Sequence, residues 1–261
     1  MLILIGLGMK FDDLTLQAVD YIRGADVVYI DTYTNIYEDY SKLIELVKSK
    51  KYKLARRNDL EGDSISRIVE EASRKDVAIL VPGDPLIATT HEALRVEAVR
   101  KGVKVVVVNG LSIATLAFSR TGLHFYKLGR TITLTYNRES AEYVVNAIYD
   151  NISRGLHTLV LLDIKVEESK AMSIPEAVEI LLNSDKRGVL GERVAVGIAR
   201  LGFTNEFIVA DLTENLGNYG YPPPPHSIII PGDLHFMEIE SLRYNCRLPH
   251  RVYEKLAGRR I

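Results

Sequence analysis

Three loops that follow apolar, strand-like runs carry the residues whose types and spacing could do chemistry. The first is Gly6-Leu7-Gly8, which looks like the start of a dinucleotide-binding turn. The second is PGDPLIATTH, which follows Val77–Val81 and holds an aspartate between two prolines. The third is NGLSIA, which follows Val103–Val108 and places Ser112 at the start of a helix. Ligands of α/β proteins bind outside the carboxyl ends of strands, so these loops are the candidate sites.

The opening loop lacks two features of a phosphate cradle. A dinucleotide fingerprint needs G-x-G-x-x-G, and Phe11 stands where the third glycine belongs. Asp12 and Asp13 follow, and they would repel a pyrophosphate at a helix N-terminus. We therefore disfavour a nicotinamide or flavin enzyme. We expect Gly6 and Gly8 to form a tight turn, or to let the main chain approach a ligand without phosphate.

The second loop predicts a rigidly held carboxylate. Prolines on both sides of Gly83-Asp84 fix the backbone, so Asp84 is placed to meet a cationic group of a ligand. The alternative, in which Asp84 only bonds its own backbone in a turn, stays open. The tripeptide Pro-Gly-Asp occurs again at residues 231–233, so at least one of the two segments can be a turn without a ligand.

The third loop nearly matches the nucleophile elbow G-x-S-x-G of hydrolases. Asp163 or Asp211 and then His226 follow in the hydrolase order, but no HGGG-like oxyanion stretch precedes Ser112. The alternative is Ser112 as a helix N-cap, beside backbone N–H groups that a ligand carboxylate could use. His226 follows the polyproline segment 222–225 and is either an edge histidine or a ligand contact.

The composition narrows the classes of function. The 261-residue chain is 47% hydrophobic and 26% charged with a net charge of -1, which is typical of a globular protein and gives no general argument for nucleic-acid or membrane binding. The single cysteine, Cys246, excludes an internal disulfide and fits a reducing cytoplasm. The six histidines have no metal-ligand spacing, so we expect no metal site.

The elements that must position these loops form two α/β domains, which we place at residues 1–110 and 111–261. In the first, short fully apolar strands alternate with helices, which indicates a mostly parallel sheet covered on both faces. In the second, closely spaced strands indicate a mixed sheet. The predicted strands are 2–7, 26–31, 52–56, 77–81, 103–108, 131–136, 157–163, 193–199, 206–212 and 227–230. The predicted helices are 14–23, 40–50, 64–74, 90–101, 139–154 and 174–183.

Taken together, the loops are more specific than any one of them. The motifs IGLGM, YIDTYT, PGDPLIATTH, LSIA, TGLHFYKLG, GLHTLVLLDIKVEE, IARLG and PPHSIIIPGDLHFMEIE occur in this order over nearly the whole chain. This set resembles the archaeal diphthine synthase family, in the tetrapyrrole-methylase-like class of S-adenosylmethionine (SAM) methyltransferases. The sequence departs from the family pattern at Asn109-Gly110-Leu111, where the family favours Ala-Pro.

The resemblance implies a fold, an activity and partners. Two α/β domains of the tetrapyrrole-methylase type would bind SAM in the cleft between them and release S-adenosylhomocysteine, and the protein would be a cytoplasmic homodimer. Its substrate would be translation elongation factor 2, on which it would trimethylate the amino group of a 3-carboxy-3-aminopropyl-histidine to give diphthine. A methylase of a corrin or porphyrin precursor is the alternative.

The resemblance also implies which residues bind the cofactor, and it leaves the catalytic residues unknown. Apolar side chains and main-chain groups would enclose the adenine and the thioether, and a few polar groups would fix the orientation. The implied cofactor residues are Met9, Asp84, Ile87, Ser112, Ile113, Leu162, Leu201 and His226. Methyl transfer builds up an ammonium cation, so we also expect an acidic or aromatic rim, for which Asp31, Tyr33 and Tyr37 are candidates.

Overall fold

The structure is a computed structural model that describes residues 1–258, apart from the side chain of residue 138. Within that range the chain forms twelve strands and ten helices. The strands are β1 (Leu2–Gly6), β2 (Val27–Asp31), β3 (Lys51–Ala55), β4 (Val77–Val81), β5 (Val105–Val108), β6 (Ile132–Leu134), β7 (Thr158–Leu162), β8 (Ile164–Lys165), β9 (Lys170–Ala171), β10 (Val194–Ala199), β11 (Phe207–Leu212) and β12 (His226–Ile230). The helices are α1 (Leu16–Gly24), α2 (Tyr40–Val47), α3 (Arg57–Leu60), α4 (Ser64–Ala72), α5 (Glu92–Arg100), α6 (Ile113–Thr121), α7 (Ala141–Ile152), α8 (Ile174–Ser184), α9 (Phe236–Asn245) and α10 (His250–Ala257).

The chain divides into two compact units. The first comprises residues 1–113 together with 166–169, and the second comprises the rest of the described chain. The division falls at the start of α6, next to the boundary that we place between residues 110 and 111.

The first unit is built on a parallel sheet in the order β3-β2-β4-β1-β5. Every pairing in it is parallel, which confirms the predicted parallel sheet. The apolar run VAILV of β4 is buried along its whole length, as a central strand covered on both faces requires.

Two layers of helices cover this sheet. Buried residues of α1 and α2, such as Ile22 and Leu43, pack on one face with Ile3 and Ile30. Buried residues of α4 and α5 pack on the other face with the alternate positions of the same strands. The order of the strands explains this arrangement. The connections from β1 to β2 and from β2 to β3 run towards the β3 edge of the sheet, whereas those from β3 to β4 and from β4 to β5 run towards the β5 edge. Strands β4 and β1 are therefore neighbours whose connections leave on opposite faces, which is where open α/β sheets bind ligands.

The second unit is built on a mixed sheet in the order β11-β10-β12-β7-β6. Strands β11, β10, β12 and β7 pair antiparallel, and only β6 pairs parallel with β7. This confirms the mixed sheet. Apolar residues of α7 and α8 form one core with this sheet, as their spacing predicts.

A buried carboxylate joins three segments of the second unit. Oε1 of Glu238, in α9, accepts a hydrogen bond from the backbone N–H of His124 at 2.7 Å and lies 2.8 Å from Nε2 of His157. Its Oε2 accepts from the Nζ of Lys127 at 2.5 Å and from the backbone N–H of His235 at 2.7 Å. Because the backbone N–H of Gly232 donates to Nδ1 of His157, the His157 proton sits on Nε2 and is donated to Glu238. Burial opposes the charge of Glu238, but these hydrogen bonds hold its pKa far below the ordinary value.

The predicted strands and helices are all present, with ends that shift by a few residues. The elements without a predicted range are the short helix α3, helices α6, α9 and α10, and the β8–β9 hairpin; for α6 we predict only a start near Ser112. Helix α10 buries only Val252, and the paired strands β8 and β9 are two residues long each, so neither carries a periodic apolar signal.

Candidate functional site

The loops after β1, β4 and β5 of the first unit meet backbone to backbone. A Cβ atom on Gly6 would lie 2.5 Å from the nitrogen of Gly110 and 2.7 Å from the carbonyl oxygen of Gly83. A Cβ atom on Gly110 would lie 2.3 Å from the same oxygen. Only glycine fits positions 6 and 110, because each must lie directly against main chain. The close approach that we predict for the opening glycines is thus, at Gly6, an approach to neighbouring loops.

The N–H groups of Gly8, Met9 and Lys10, at the tip of the opening turn, are all used within the chain. Gly8 has a φ of +69° and pairs with Gly83 in an isolated bridge. The N–H groups of Met9 and Lys10 both donate to Oδ2 of Asp13, at 2.9 and 3.2 Å. A carboxylate of the chain itself therefore occupies the position that a bound anion would need. This argues against the nicotinamide and flavin alternatives on geometry as well as on sequence.

The position that a Cβ atom of Gly83 would occupy is free of close contacts, and we call this space the cradle. Gly83 has a φ of +82°, and the position of a Cβ there has no neighbour closer than Cε of Met9 at 3.8 Å and the carbonyl oxygen of Leu111 at 3.9 Å. A side chain or a ligand atom could therefore occupy this space without displacing protein. Met9, a predicted cofactor residue, is buried and borders the cradle. Gly83 and Leu111, from the loops after β4 and β5, supply the remaining border.

Asp84 is buried, and three groups of the first unit donate to its carboxylate. Oδ1 accepts from the N–H of Leu86 at 2.9 Å. Oδ2 accepts from Nδ2 of Asn109 at 2.9 Å and from the N–H of Gly110 at 3.3 Å. Asp84 thus joins the loops after β4 and β5, and its bond to the N–H of Leu86 is the local contact of the turn alternative. Contact with a cationic group of a ligand stays a prediction. Asn109 also gives the departure from the family pattern a role, since its amide supplies one of these bonds.

The rest of the PGDPLIATTH loop presents a strained, exposed tip. Ile87, a predicted cofactor residue, is 42% exposed. Its neighbour Ala88 has a φ of 57°, in the left-handed region that residues with a side chain rarely adopt. Such strain concentrates at ligand sites, where surrounding contacts impose it. Of the other two predicted residues of this unit, Ser112 is buried and Ile113 is half-buried at the start of α6.

In the second unit, the three predicted cofactor residues lie at, or just beyond, the same end of the neighbouring strands β7, β12 and β10. Leu161 pairs with Ser227, which places Leu162, at the end of β7, beside His226 of β12. His226 pairs with Ala199 at the end of β10, and Leu201 follows after Arg200, which has a φ of 53°. Leu162, Leu201 and His226 are all buried. A second left-handed residue thus adjoins a predicted cofactor residue.

The ring of His226 is fully used by the main chain. Nδ1 accepts from the N–H of Ile174 at 3.1 Å, so Nε2 carries the proton and donates it to the carbonyl oxygen of Pro222 at 2.7 Å. Burial lowers the pKa of His226, which keeps the ring neutral. Asp211 is bonded instead by the OH of Tyr219 and by Asn215. The other candidate, Asp163, accepts from the N–H of Tyr136. Among the described residues, both ring nitrogens of His226 thus bond the main chain and not an aspartate, which argues against the hydrolase triad.

The acidic or aromatic rim that we predict for the ammonium cation is not an exposed edge in the structure. Asp31, Tyr33 and Tyr37 have relative exposures of 0%, 5% and 3%, so none of them lines an open edge. Oδ1 of Asp31 accepts from the N–H groups of Tyr33 and Thr34, at 2.8 and 3.0 Å, and its Oδ2 lies 3.3 Å from Nε2 of His91. His91 is not among the site residues that we predict from the sequence, although it ends the motif PGDPLIATTH, and Asp31 lies in the motif YIDTYT.

Within the described residues, no group of three or more histidine, cysteine, aspartate or glutamate side chains is arranged to hold a metal ion. No described helix is long and apolar enough to cross a membrane.

Comparisons with known proteins agree with the resemblance. Residues 1–217 match the family model of the tetrapyrrole (corrin/porphyrin) methylases. The chain is 55% identical over 259 residues to the diphthine synthase of Staphylothermus marinus, covering 98% of this chain and 97% of that protein. It is 39% identical to the diphthine synthase of Methanocaldococcus jannaschii, covering 94% and 99%. A crystal structure of diphthine synthase superimposes with a TM-score of 0.89 at 37% identity, covering 98% of this chain and 99% of that one.

Proposed function

We propose, from the premise that this chain belongs to the tetrapyrrole (corrin/porphyrin) methylase family, that it is a SAM-dependent methyltransferase with the activity of a diphthine synthase. Its substrate is the 3-carboxy-3-aminopropyl-histidine of translation elongation factor 2, whose amino group it trimethylates. The observation that carries this proposal is the similarity to diphthine synthases over nearly the whole length of the chain.

The cradle of the first unit suits SAM better than a nucleotide with phosphates. SAM contains an adenosine and a sulfonium but no phosphate, and Asp13 already uses the N–H groups that a phosphate would need. The open space over Gly83, bordered by a methionine side chain and a carbonyl oxygen, suits an apolar or cationic group. We propose that Met9, Asp84, Ile87, Ser112 and Ile113 bind the cofactor from this unit. Leu162, Leu201 and His226 are the proposed contacts from the second unit.

These residues act by different means. Met9, with Leu162 and Leu201, supplies buried apolar surface, whereas Ile87 supplies an apolar side chain that is still exposed. Because the side chains of Asp84 and His226 are committed to bonds within the chain, they shape the main chain that contacts the cofactor.

SAM supplies an electrophilic methyl group that is transferred by in-line displacement. The chain's contribution is to hold the acceptor amine in line and to exclude water, and ideal orientation is worth about 7–11 kcal/mol. The amine must be neutral to attack, so each ammonium formed by the first two transfers must lose its proton before the next. No residue of the chain is assigned as the base.

We further propose that the protein acts in the cytoplasm as a homodimer. The protein substrate requires an open approach to the cofactor loops. The alternative, methylation of a corrin or porphyrin precursor, is supported only by the family name.

The test is transfer of labelled methyl groups from SAM to elongation factor 2 that bears the aminocarboxypropyl histidine. We expect a mass gain of three methyl groups on that side chain. The same factor with its target histidine replaced is the control, and label retained on it would contradict the proposal. Calorimetry with S-adenosylhomocysteine and NAD separates a SAM-dependent enzyme from the nicotinamide alternative, because only the first compound should bind. The methyl-transfer assay itself separates the proposed activity from that of a corrin or porphyrin methylase.

A further inference from the structure

Side chains hold the loop 82–91 of the first unit at both of its ends. At the start, the carboxylate of Asp84 is bonded to Asn109 and Gly110 of the loop after β5. At the end, Thr90 contacts Tyr33 and Glu61, and His91 contacts Asp31, the last residue of β2. The tip between them contains the exposed Ile87 and the left-handed Ala88. A loop with such a tip keeps its conformation only when its surroundings impose it.

The first contact at the far end is a buried pair of ionisable side chains. Nε2 of His91 lies 3.3 Å from Oδ2 of Asp31, and both side chains have zero exposure. The backbone N–H groups of Tyr33 and Thr34 orient the carboxylate by donating to its other oxygen. Burial lowers the pKa of His91, although Asp31, Glu61 and the backbone of Pro85 act in the opposite direction. The geometry of the 3.3 Å contact is not that of a hydrogen bond, so the imidazole is held against the last residue of β2 by packing and electrostatic attraction.

The second contact is a bridge of three side chains. The OH of Tyr33 lies 3.1 Å from Oγ1 of Thr90, and both hydroxyls donate to Oε1 of Glu61, at 3.0 and 2.7 Å. Burial raises the pKa of Tyr33, so its hydroxyl stays protonated and can donate. Arg57 pairs with Glu61 and lies over the ring of Tyr33, 5.0 Å from its centre. These bonds give Glu61 a lowered pKa although burial opposes the charge.

A free loop would need neither contact. Burying a carboxylate beside an imidazole costs desolvation free energy, which their attraction and the hydrogen bonds to Asp31 must offset. Both contacts act on the last two residues of a loop whose tip is strained and exposed. They also link the two motifs YIDTYT and PGDPLIATTH, which are far apart in the sequence.

We propose that Asp31, Tyr33, Glu61 and His91 form a brace that holds the tip of the PGDPLIATTH loop in its cofactor-binding conformation. They are positioning residues, because the contacts between Asp31 and His91, and of Tyr33 and Glu61 with Thr90, fix the end of the loop and act on the tip through its main chain. This inference rests on the proposed function, since it assumes that the loop binds SAM.

The test compares binding of S-adenosylhomocysteine to full-length variants by calorimetry, well below their melting temperatures. Tyr33→Phe removes one hydroxyl from the bridge and leaves the ring, and we expect its Kd to rise about tenfold. His91→Leu should raise the Kd at least as much. His91→Gln keeps a donor toward Asp31 and should recover most of the affinity. In methyl-transfer assays the KM for SAM should rise while kcat at saturating SAM stays near that of the wild type.

Tyr29→Phe is the matched control. Tyr29 lies in β2, four residues before Tyr33, and its OH donates to Glu71 of α4 at 3.0 Å, away from Thr90 and His91. It should lower stability as Tyr33→Phe does and leave the Kd unchanged. If wild type binds and Tyr33→Phe binds within twofold of it, the brace is refuted, even if His91→Leu fails to fold. A wild-type protein that binds no S-adenosylhomocysteine would instead refute the proposed function.

Discussion

Asn109 donates a hydrogen bond from Nδ2 to Oδ2 of Asp84 at 2.9 Å, and this bond joins the loops that follow β4 and β5. Asp84 is buried, so its carboxylate depends on such donors to offset the loss of water. The bond connects a residue that departs from the family pattern to one that the resemblance assigns to the cofactor site.

Asn109→Ala should therefore weaken both the fold and cofactor binding. Loss of one donor to a buried carboxylate costs about 1–3 kcal/mol of unfolding free energy, which urea titration measures. We expect a severalfold rise in the Kd for S-adenosylhomocysteine as well. Asn215→Ala is the control, because it removes an Asn–Asp bond from the second unit, where Nδ2 lies 3.2 Å from Asp211. If both variants bind with the same affinity, Asn109 has no part in the site.

Gly83→Ala should separate binding from folding. A methyl group at this position meets no protein atom closer than 3.8 Å, so its folding cost is that of an alanine held at positive φ, about 1–2 kcal/mol. The methyl group would, however, fill the cradle, and we expect at least a tenfold loss of affinity for S-adenosylhomocysteine by calorimetry. Gly102→Ala imposes similar strain, since Gly102 has a φ of +69° with nothing within 4 Å of the added Cβ. It should lose the same stability and no affinity.

Glu238 should be a centre of stability and of acid sensitivity. Its two oxygens accept from or contact four groups, so Glu238→Ala leaves His157 and Lys127 without their anion and should cost about 3–5 kcal/mol. The folded pKa lies below the ordinary value of 4.5, so its stabilising contribution is full above that pH and is lost as the pH falls below it. Urea titrations between pH 7 and 3 should show a steeper loss for the wild type than for the variant. Parallel curves would contradict the assignment.

His226 should make stability fall in mild acid. Burial lowers its folded pKa below the ordinary 6.5, with Arg200 adding to the effect and the backbone of Pro222 and Glu176 opposing it. The unfolded chain therefore takes up the proton first as the pH drops below about 6.5, and the folded state loses stability from there downward. His91 has a lowered pKa too, so His226→Gln should remove only part of the slope between pH 7 and 5. A slope unchanged by this variant would show that His226 does not contribute.

Much of the fold could be predicted from local sequence. The apolar run of Val77–Val81 and the spacing in Ser64–Ala72 specify a buried strand and an amphipathic helix, because each pattern matches the period of one element. The two-residue strands β8 and β9 and the mostly exposed helix α10 could not be predicted, because neither buries enough apolar surface to leave a pattern.

The sequence by itself determined the order and type of the elements, the motifs of the three loops and the exclusion of a dinucleotide fingerprint. It did so because short-range periodicity, turn residues and a missing glycine are local properties. Only the tertiary structure decided what each polar group contacts. Asp84 is bonded by Asn109, Asp31 lies against His91, and the ring of His226 is bonded to the main chain of Ile174 and Pro222. Apart from Pro222, each of these partners is distant in the sequence. Such partners depend on which strand ends the sheet order brings together, and the parallel crossovers of the first unit bring distant loops to one edge.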